Sequence, residues 1–433
     1  MRIAVIGSGV SGLVSAWLLS RRHSVVLFEA NDYLGGHTHT HDILLRGRHH
    51  RVDTGFIVYN PLQYPLLTRL FNELGVASQP TTMSFSVRNE ATGLEYNATS
   101  LRGLFCQRGN LVSPRFLGMI RDLLRFYREA PALLESREAG PTLGEFLQQH
   151  RYGAAFRDDH LVPMASALWS SPAGEILRFP ARYLVQFMAN HQMLKVSGRT
   201  PWWVVKGGSA TYVTAITRNW AVDARVDCPV GRVYRRDDSV EIRSAAGSEH
   251  FDQVVFACHS DQALELLGDP SNSEREVLGS IAYQANKVVL HTDAALMPRI
   301  PRAWAAWNAL VPREPSQSCT VSYSMNLLQA IQSQDPLIVT LNPTHPIDPG
   351  RILRQLSYHH PLYSHRSVAA QARKSEIQGR RRSWFAGAYW GWGFHEDGVR
   401  SAVEVATGLG VPWDASNASS LTHQLPRNDE VAA

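Results

Sequence analysis

The sequence predicts an α/β protein in which a parallel sheet with flanking helices and a β-meander is interleaved with a second, α+β unit. Three observations predict it: an apolar strand that runs into a glycine loop and a helix, a second strand that ends in an acid, and short β-branched runs from mid-chain onward that return to the same unit. At 433 residues the chain exceeds one ordinary hydrophobic core. Its 44% hydrophobic and 19% charged residues are those of a globular protein nearly throughout.

Arg2 to Ile6 (RIAVI) is the first strand, followed at once by GSGVSG and a helical pattern from Leu13 to Leu19. Gly7 allows the tight turn, Gly9 lets backbone approach a pyrophosphate, and Gly12 permits close packing of helix on strand, with Ala16 keeping that contact small. Val10 and Ser11 stand at the helix N-terminus, whose unpaired N–H groups and partial positive charge favour an anion. The second strand, Ser24 to Phe28, ends in Glu29-Ala30, where an acid binds the hydroxyls of an adenosine ribose and disfavours a 2′-phosphate. This is a Rossmann-like dinucleotide unit, and NADP is not expected in it. Gly35-Gly36-His37-Thr38 then supplies a second turn over the pyrophosphate, which NAD dehydrogenases lack, so the expected cofactor is FAD.

From this point the sequence resembles the flavin-containing amine oxidase superfamily, which includes monoamine oxidases, protoporphyrinogen oxidase and phytoene desaturases. The family motif here is GGRxxT, and His37 stands where it has arginine. The resemblance continues through Val52-Asp53-Thr54-Gly55-Phe56, a helix from Leu62 to Leu74 ending at Gly75, Val205 to Ser209, Val226 to Val233, Val240 to Ile242, Val254 to Cys258, Phe385-Ala386-Gly387, and Gly393 to Val399 with a closing helix. It implies a glutathione-reductase-type parallel sheet plus β-meander as the FAD-binding domain. It also implies flavin contacts from Thr38, Thr54, Gly55 and Phe56, adenine contact from the Val230 backbone, and Ala257 and Cys258 near the dinucleotide. Gly387, Ala388 and Phe394, with Glu396, Asp397, Gly398 and Val399, form the implied C-terminal cofactor block, where a helix N-terminus faces the reduced ring. More narrowly, GGHTHT, DTGFIVYN, SALWSSP, FMANHQML and GAYWGWGFHEDG resemble a bacterial branch known as predicted NAD/FAD-binding proteins. That branch is linked with cyclopropane-fatty-acid-synthase-like methyltransferases, which implies unsaturated or methyl-branched acyl chains as substrates.

Only one GxGxxG unit is present, so the flavin is expected to be reduced by the substrate, with oxygen, a quinone or another acceptor taking the electrons. The family's lysine near the flavin falls at Asn286, and Lys287 points to the other face of its strand unless the alignment shifts by one residue. The ribityl-binding acid after FAG is replaced by Ala388 and Tyr389. Phe394 matches one wall of an aromatic amine cage without a clear partner, and the flavin-linking cysteine is absent, so non-covalent FAD is expected. Phe56, Tyr59, Trp169, Trp202, Trp203, Tyr389, Trp392 and Phe394 are the aromatic candidates to line the site, core packing being the alternative for each. His191 and His395 are the candidate proton handlers, His395 the better placed, and Tyr59 joins the catalytic candidates.

Cys106, Cys228, Cys258 and Cys319 form no CxxC or CxxxxC pair, which excludes a redox-active disulfide of that type and a structural zinc site. His37, His39 and His41 alternate, but no acid or cysteine accompanies them, and no metal is expected. The net charge of +5 is dispersed apart from Arg46 to Arg51 and Arg380 to Arg382, and no nucleic-acid module is recognisable. No apolar run reaches the roughly 20 residues of a spanning helix, and the chain enters its glycine loop without a signal peptide, so a cytoplasmic protein is expected. Arg115 to Arg128 spaces Phe116, Ile120, Leu123, Leu124 and Tyr127 helically, with Arg121, Arg125 and Arg128 elsewhere on the wheel. It reads as an ordinary surface helix or as an interfacial one that gives peripheral membrane contact.

The expected organisation is an FAD domain of residues 1–79, 207–281 and 375–415, a substrate domain of 80–206 and 282–374, and a disordered tail from 416 to 433. Three functions remain open at this point. The first is a flavin oxidase or desaturase of a lipid chain. The second is an oxidase of amines or amino acids. The third is a redox-neutral flavin isomerase, or a flavoprotein partner of a lipid methyltransferase.

Overall fold

Five short parallel strands set the frame, in the order Val222–Arg225, Ser24–Phe28, Arg2–Ile6, Gln253–Phe256, Ser383–Phe385. They belong to a computed structural model that describes residues 1–413 apart from 137 and 315–318; the tail expected from 416 lies outside the described residues. Ile6 is in register with both Phe28 and Phe256, so these strands end together and release Gly7, Glu29 and Ala257 along one edge. Side-chain alternation splits the sheet's two faces. Ile3, Val5, Val25 and Leu27 meet the first helix, Val10–Leu19, and the closing helix, His395–Gly408. Ala4, Ile6, Val26 and Phe28 meet an antiparallel meander of Val230–Arg235, Val240–Ser244 and Gly247–Phe251. Both faces are covered, which is why the three central strands read as nearly continuous apolar runs.

The helix expected from Leu62 starts at Pro65, whose missing N–H is harmless in the first turn, and stops at Leu74. Gly75 ends it in the left-handed region, φ 67°, and donates its N–H to the carbonyl of Asn72.

The second unit is built on a seven-stranded sheet made from Phe85–Asn89 and Glu95–Asn97 together with five later strands between Ala282 and Leu362. The helices Pro114–Glu129, Leu143–Gln149, Val162–Trp169 and Ala181–Asn190 pack around a core that includes Phe116, Phe126, Phe156 and Phe187. A small sheet of Val58–Tyr59, Trp202–Val205 and Ser78–Thr81 joins the units, and the expected boundaries near 79 and 206 fall in it. The boundary expected at 374 differs. Helix His365–Ala372 packs on Asn272–Leu278, and its Ala370 shares a core with Phe256 and Phe385, so the return to the first unit comes after Leu362.

One buried ion pair ties the meander to the helix Asn272–Leu278. The Arg235 guanidinium, 1% exposed, donates to the Glu274 carboxylate, 2% exposed, and also to Asp269. Breaking such a pair leaves one buried charge uncompensated. Glu274→Gln keeps an acceptor for the Ser271 N–H at the helix start, yet should cost about 3–5 kcal/mol by urea unfolding. A loss under about 1 kcal/mol would mean that Asp269 suffices.

Candidate active site

A cavity of about 990 Å³ opens at the carboxyl edge of the parallel strands and runs to the seven-stranded sheet. The location is the one that open α/β sheets use for ligands, and the volume is at the upper end for small-molecule sites. At its first end lies the glycine loop. Gly7 has φ +97°, and a Cβ on Gly12 would stand 1.9 Å from the Gly7 carbonyl oxygen, so the turn closes only on glycine. Gly12 is therefore a packing residue and lines nothing, while Gly7, Gly9, Val10 and Ser11 line the cavity. Gly9 has nothing within 4 Å of its missing Cβ. Gly35 and Gly36, both at positive φ, fold the next turn onto this loop, bringing Gly36 against the Gly9 backbone.

Glu29, buried beside Ala30 at the end of the second strand, accepts from Ser8 N (2.8 Å), Ser8 Oγ (2.6 Å), Asn31 N (2.9 Å) and Asn31 Nδ2 (2.8 Å). Its four lone-pair sites are filled, and the two side-chain donors are the ones ribose hydroxyls would displace. Val230 from the meander and Ala257 and Cys258 from the neighbouring strand line the same end. Burial holds the Cys258 thiol at about 12, so it stays protonated.

Next along the wall stands a row of imidazoles. The His37 ring stacks with His360 at 5.3 Å and with His259 at 5.9 Å, and meets Tyr358 edge-on. His259 stacks on Tyr283 at 4.5 Å, and Asn286 Nδ2 lies 2.9 Å from His360 Nδ1. Burial, then repulsion among the neighbouring imidazoles, lowers His37 and His360 to about 3 and His259 to about 4. His37 is thus neutral at ordinary pH, unlike the arginine it stands for. His39 and His41 turn to their own contact, 4.0 Å apart, so the three alternating histidines do not share one face toward a metal. Among the described residues no cluster suited to a metal ion is found.

The middle of the cavity is formed by Thr54, Gly55 and Phe56 and by the loop Gly387 to His395. Gly55 is required because a Cβ there would lie 2.0 Å from the His37 carbonyl oxygen. His395 stacks on Phe56 at 3.6 Å, and its Nε2 is held 3.1 Å from Thr38 Oγ1 and 3.2 Å from Tyr212 Oη. Thr38 is spent on this network and does not line the cavity. Burial and His37 lower His395 to about 3, so it is locked and weakly basic, and titration near neutrality is not available to it. The loop is fastened from several sides: Trp169 Nε1 donates to the Trp392 carbonyl, Tyr183 Oη to the Gly391 carbonyl, and Gln371 Nε2 to the carbonyls of Tyr389 and Gly391.

The acids of that block act on backbone instead of facing the cavity. Glu396 accepts from the N–H groups of Leu66 and Leu67, which have no partner within their own helix. Asp397 accepts from the Trp392 and Phe394 N–H groups. A Cβ on Gly398 would stand 2.6 Å from Val10 Cγ1, so Gly398 and Val399 seat the closing helix on the first one. Residues 396–399 thus hold the helix in place, and none of the four lines the cavity.

At the far end, Trp169, Trp202, Trp307, Tyr323 and Leu341 line the cavity together with Tyr389, Trp392 and Phe394. Trp203 alternates away from Trp202 into the core of the first unit, and Tyr59 likewise leaves the cavity wall to pack on Phe71. His191 is buried outside the cavity, its Nδ1 bonded to the Phe187 carbonyl, and burial lowers it to about 4. Asn286 is buried outside the cavity, bonded to His360 and accepting from Asn342 Nδ2, and Lys287 is exposed on the opposite face of its strand. Tyr283, Tyr358 and His360 were not legible as lining residues, because they arrive through the long antiparallel pairing that sets Asn286 opposite Tyr358.

A sequence model of the flavin-containing amine oxidoreductases matches residues 10–322, well over half of the chain. The chain belongs to that family. It is by family an FAD-dependent oxidoreductase. Among solved structures, a CLA-producing fatty acid isomerase from P. acnes has a similar fold, with 17% identity, TM-score 0.66, and coverage of 94% of this chain and 98% of that one. A double mutant of putrescine oxidase is similar at 14% identity and TM-score 0.69, over 94% and 99%. Tryptophan 2-monooxygenase of Allorhizobium ampelinum is 55% identical over 42 residues, so the chain spans only 6% of that protein and the match 9% of this one.

The residues present fit FAD. The glycine loop offers a diphosphate an open helix N-terminus, and Glu29 offers the ribose a carboxylate. Tyr389 Oη and Trp392 Nε1, in residues that line the cavity, are buried with no protein partner among the described residues, a cost that a polar ligand edge would relieve. A diphosphate at the loop would also face the imidazole row. A histidine whose folded pKa lies below its unfolded value binds its proton more readily in the unfolded chain. Its destabilising effect is therefore absent above about pH 6.5 and grows by about 1.4 kcal/mol per unit as pH falls toward 3. Bound anion offsets that effect. FAD should accordingly raise the unfolding midpoint of stripped protein more at pH 5.5 than at pH 7.5, and the difference should shrink in His37→Gln. Equal gains at both pH values in thermal scans would contradict this.

Proposed function

We propose that the chain withdraws hydrogen from a hydrophobic substrate, an unsaturated or methyl-branched fatty-acyl lipid, in an oxidase or desaturase reaction. One observation carries this reading. The only Asp, Glu, Lys or Arg side chains that line the cavity, among the described residues, are Glu29, Arg232 and Glu265, all at the end formed by the meander and the second strand. The far end is tryptophan, tyrosine, phenylalanine and leucine. An ammonium ion placed there would lose its hydration without a carboxylate to receive it, and an amino acid would also lack a cation for its carboxylate. A neutral acyl chain meets no such cost and gains from the burial.

Bound FAD would supply the two-electron acceptor. The protein's own residues contribute shape and exclusion of water: the Trp169 indole is fixed by donating to the Trp392 carbonyl, and the rings of Phe187 and Phe394 stack at 5.0 Å. Burial keeps the Tyr389 phenol protonated, hence a donor. A redox-neutral double-bond shift in the same kind of chain is the second reading, favoured by the fold shared with the fatty acid isomerase.

Anaerobic addition of unsaturated or methyl-branched acyl lipid to the yellow protein should bleach its visible flavin absorbance, and oxygen or a quinone should restore it. Bleaching by small amines but by no lipid would overturn the lipid reading. Conversion of the lipid without net electron transfer to any acceptor would establish the isomerase.

A further inference from the structure

The arginine-rich stretch before the middle of the chain has an outward face that neither the cavity nor the core uses. From Ala98 to Arg128 there are six arginines and one acid, Asp122. Asp122 is buried; it accepts from the Gly153 N–H and from Arg121 Nη2 and lies 3.7 Å from Arg125, so it offsets part of that charge and leaves the face net positive. Of the eleven most exposed large apolar side chains among the described residues, five lie between Leu101 and Leu124, among them Leu101 at 75% and Val112 at 79%. Within the helix Pro114–Glu129, the exposed positions Leu117, Arg121, Leu124 and Arg128 recur at i, i+4, i+7 and i+11, a single stripe that alternates leucine with arginine. Arg125 is turned inward over the Tyr152 ring. Arg121 and Arg128 touch Asp122 and Glu129 but remain 77% and 76% exposed, and Arg102 and Arg108 make no ion pair among the described residues.

A second segment extends the face. Arg199 Nη2 donates to Tyr127 Oη at 3.3 Å, which sets the exposed Lys195, Val196 and Arg199 beside the helix. The same loop leads from Arg199 directly into the strand that begins at Trp202 on the cavity wall, so the face and the apolar end of the cavity are adjacent along the chain. Leucines without a protein partner, interspersed with cations whose aliphatic stems can lie along an apolar layer, match a headgroup region with negative charge above acyl chains. No helix among the described residues is long and apolar enough to cross a membrane, so the match is to its surface.

We propose that residues 101–128 and 195–199 form a docking face for an anionic phospholipid bilayer. The proposal stands whatever the substrate is, since it rests on the outward face alone. The test uses the full FAD-loaded protein and sedimentation with unilamellar vesicles of phosphatidylcholine, alone or mixed with phosphatidylglycerol. Binding should require phosphatidylglycerol, weaken as salt is raised, and fall by about tenfold or more in Leu117→Ser/Leu124→Ser and in Arg121→Gln/Arg128→Gln. Unchanged flavin spectrum and thermal midpoint would show that the variants are folded. Failure to sediment with either vesicle, or equal sedimentation of wild type and both variants, overturns the proposal. So does a dimer in solution that the double serine variant converts to monomer, because the face would then belong to a second copy of the chain.

Discussion

The first helix and the closing helix meet through glycine, and the rest of the molecule is arranged around that contact. The closing helix can lie on the first helix only because Gly398 has no side chain to strike Val10, and the first helix can follow its strand only because Gly12 leaves room for the Gly7 carbonyl. Once the helices touch, the loop from Gly387 to His395 is carried over the glycine loop and becomes the cavity's middle wall. Glu396 and Asp397 then reinforce the position by taking up backbone N–H groups, two on the neighbouring helix and two on the loop itself. The cofactor end of the site is thus a consequence of backbone proximity, with side chains serving mainly to hold it.

Local signals made the first unit readable. Strand, glycine loop, helix and terminal acid occur within 29 residues, and the meander shows itself as short β-branched runs with turn residues between them. What escaped depends on partners distant in sequence. Nothing local tells that His360 and Tyr358 face His37, because their placement comes from strand pairing across about seventy residues. An acid in the first turn of a helix favours the dipole whether or not a ligand is nearby, so Glu396 and Asp397 carry no unambiguous sign of their role. Alternation did contain the answer for Trp203 and Tyr59, since each follows a cavity residue in a strand and must face the other way. The basicity of His191 and His395 was not readable at all, because it is set by burial.

Charge is distributed by region. The cofactor end combines the Glu29 and Glu265 carboxylates, the Arg232 guanidinium, a helix N-terminus and neutral imidazoles. The far end has no Asp, Glu, Lys or Arg side chain among the described residues, and its polar groups include phenols, indoles and the Ser170 hydroxyl. Positive charge is instead abundant on the outer surface, along the helix that begins at Pro114. Charged side chains are thus concentrated at the cofactor end and on the outer surface and are absent from the aromatic end of the cavity among the described residues.

The seven-stranded sheet has a temporal meaning as well. Phe85–Asn89 pairs in parallel with Trp307–Val311, and the long strand Ala282–His291 is made only after the whole intervening half of the first unit. A ribosome therefore releases one hairpin of this sheet, with its neighbouring aromatic helices, far ahead of the five strands that complete it. During that interval Val87 and Tyr96, both fully buried in the finished protein, have no sheet to rest on. The nascent chain must be sheltered or must wait in a loosely collapsed form, and neither unit can be released as a contiguous fragment that folds by itself.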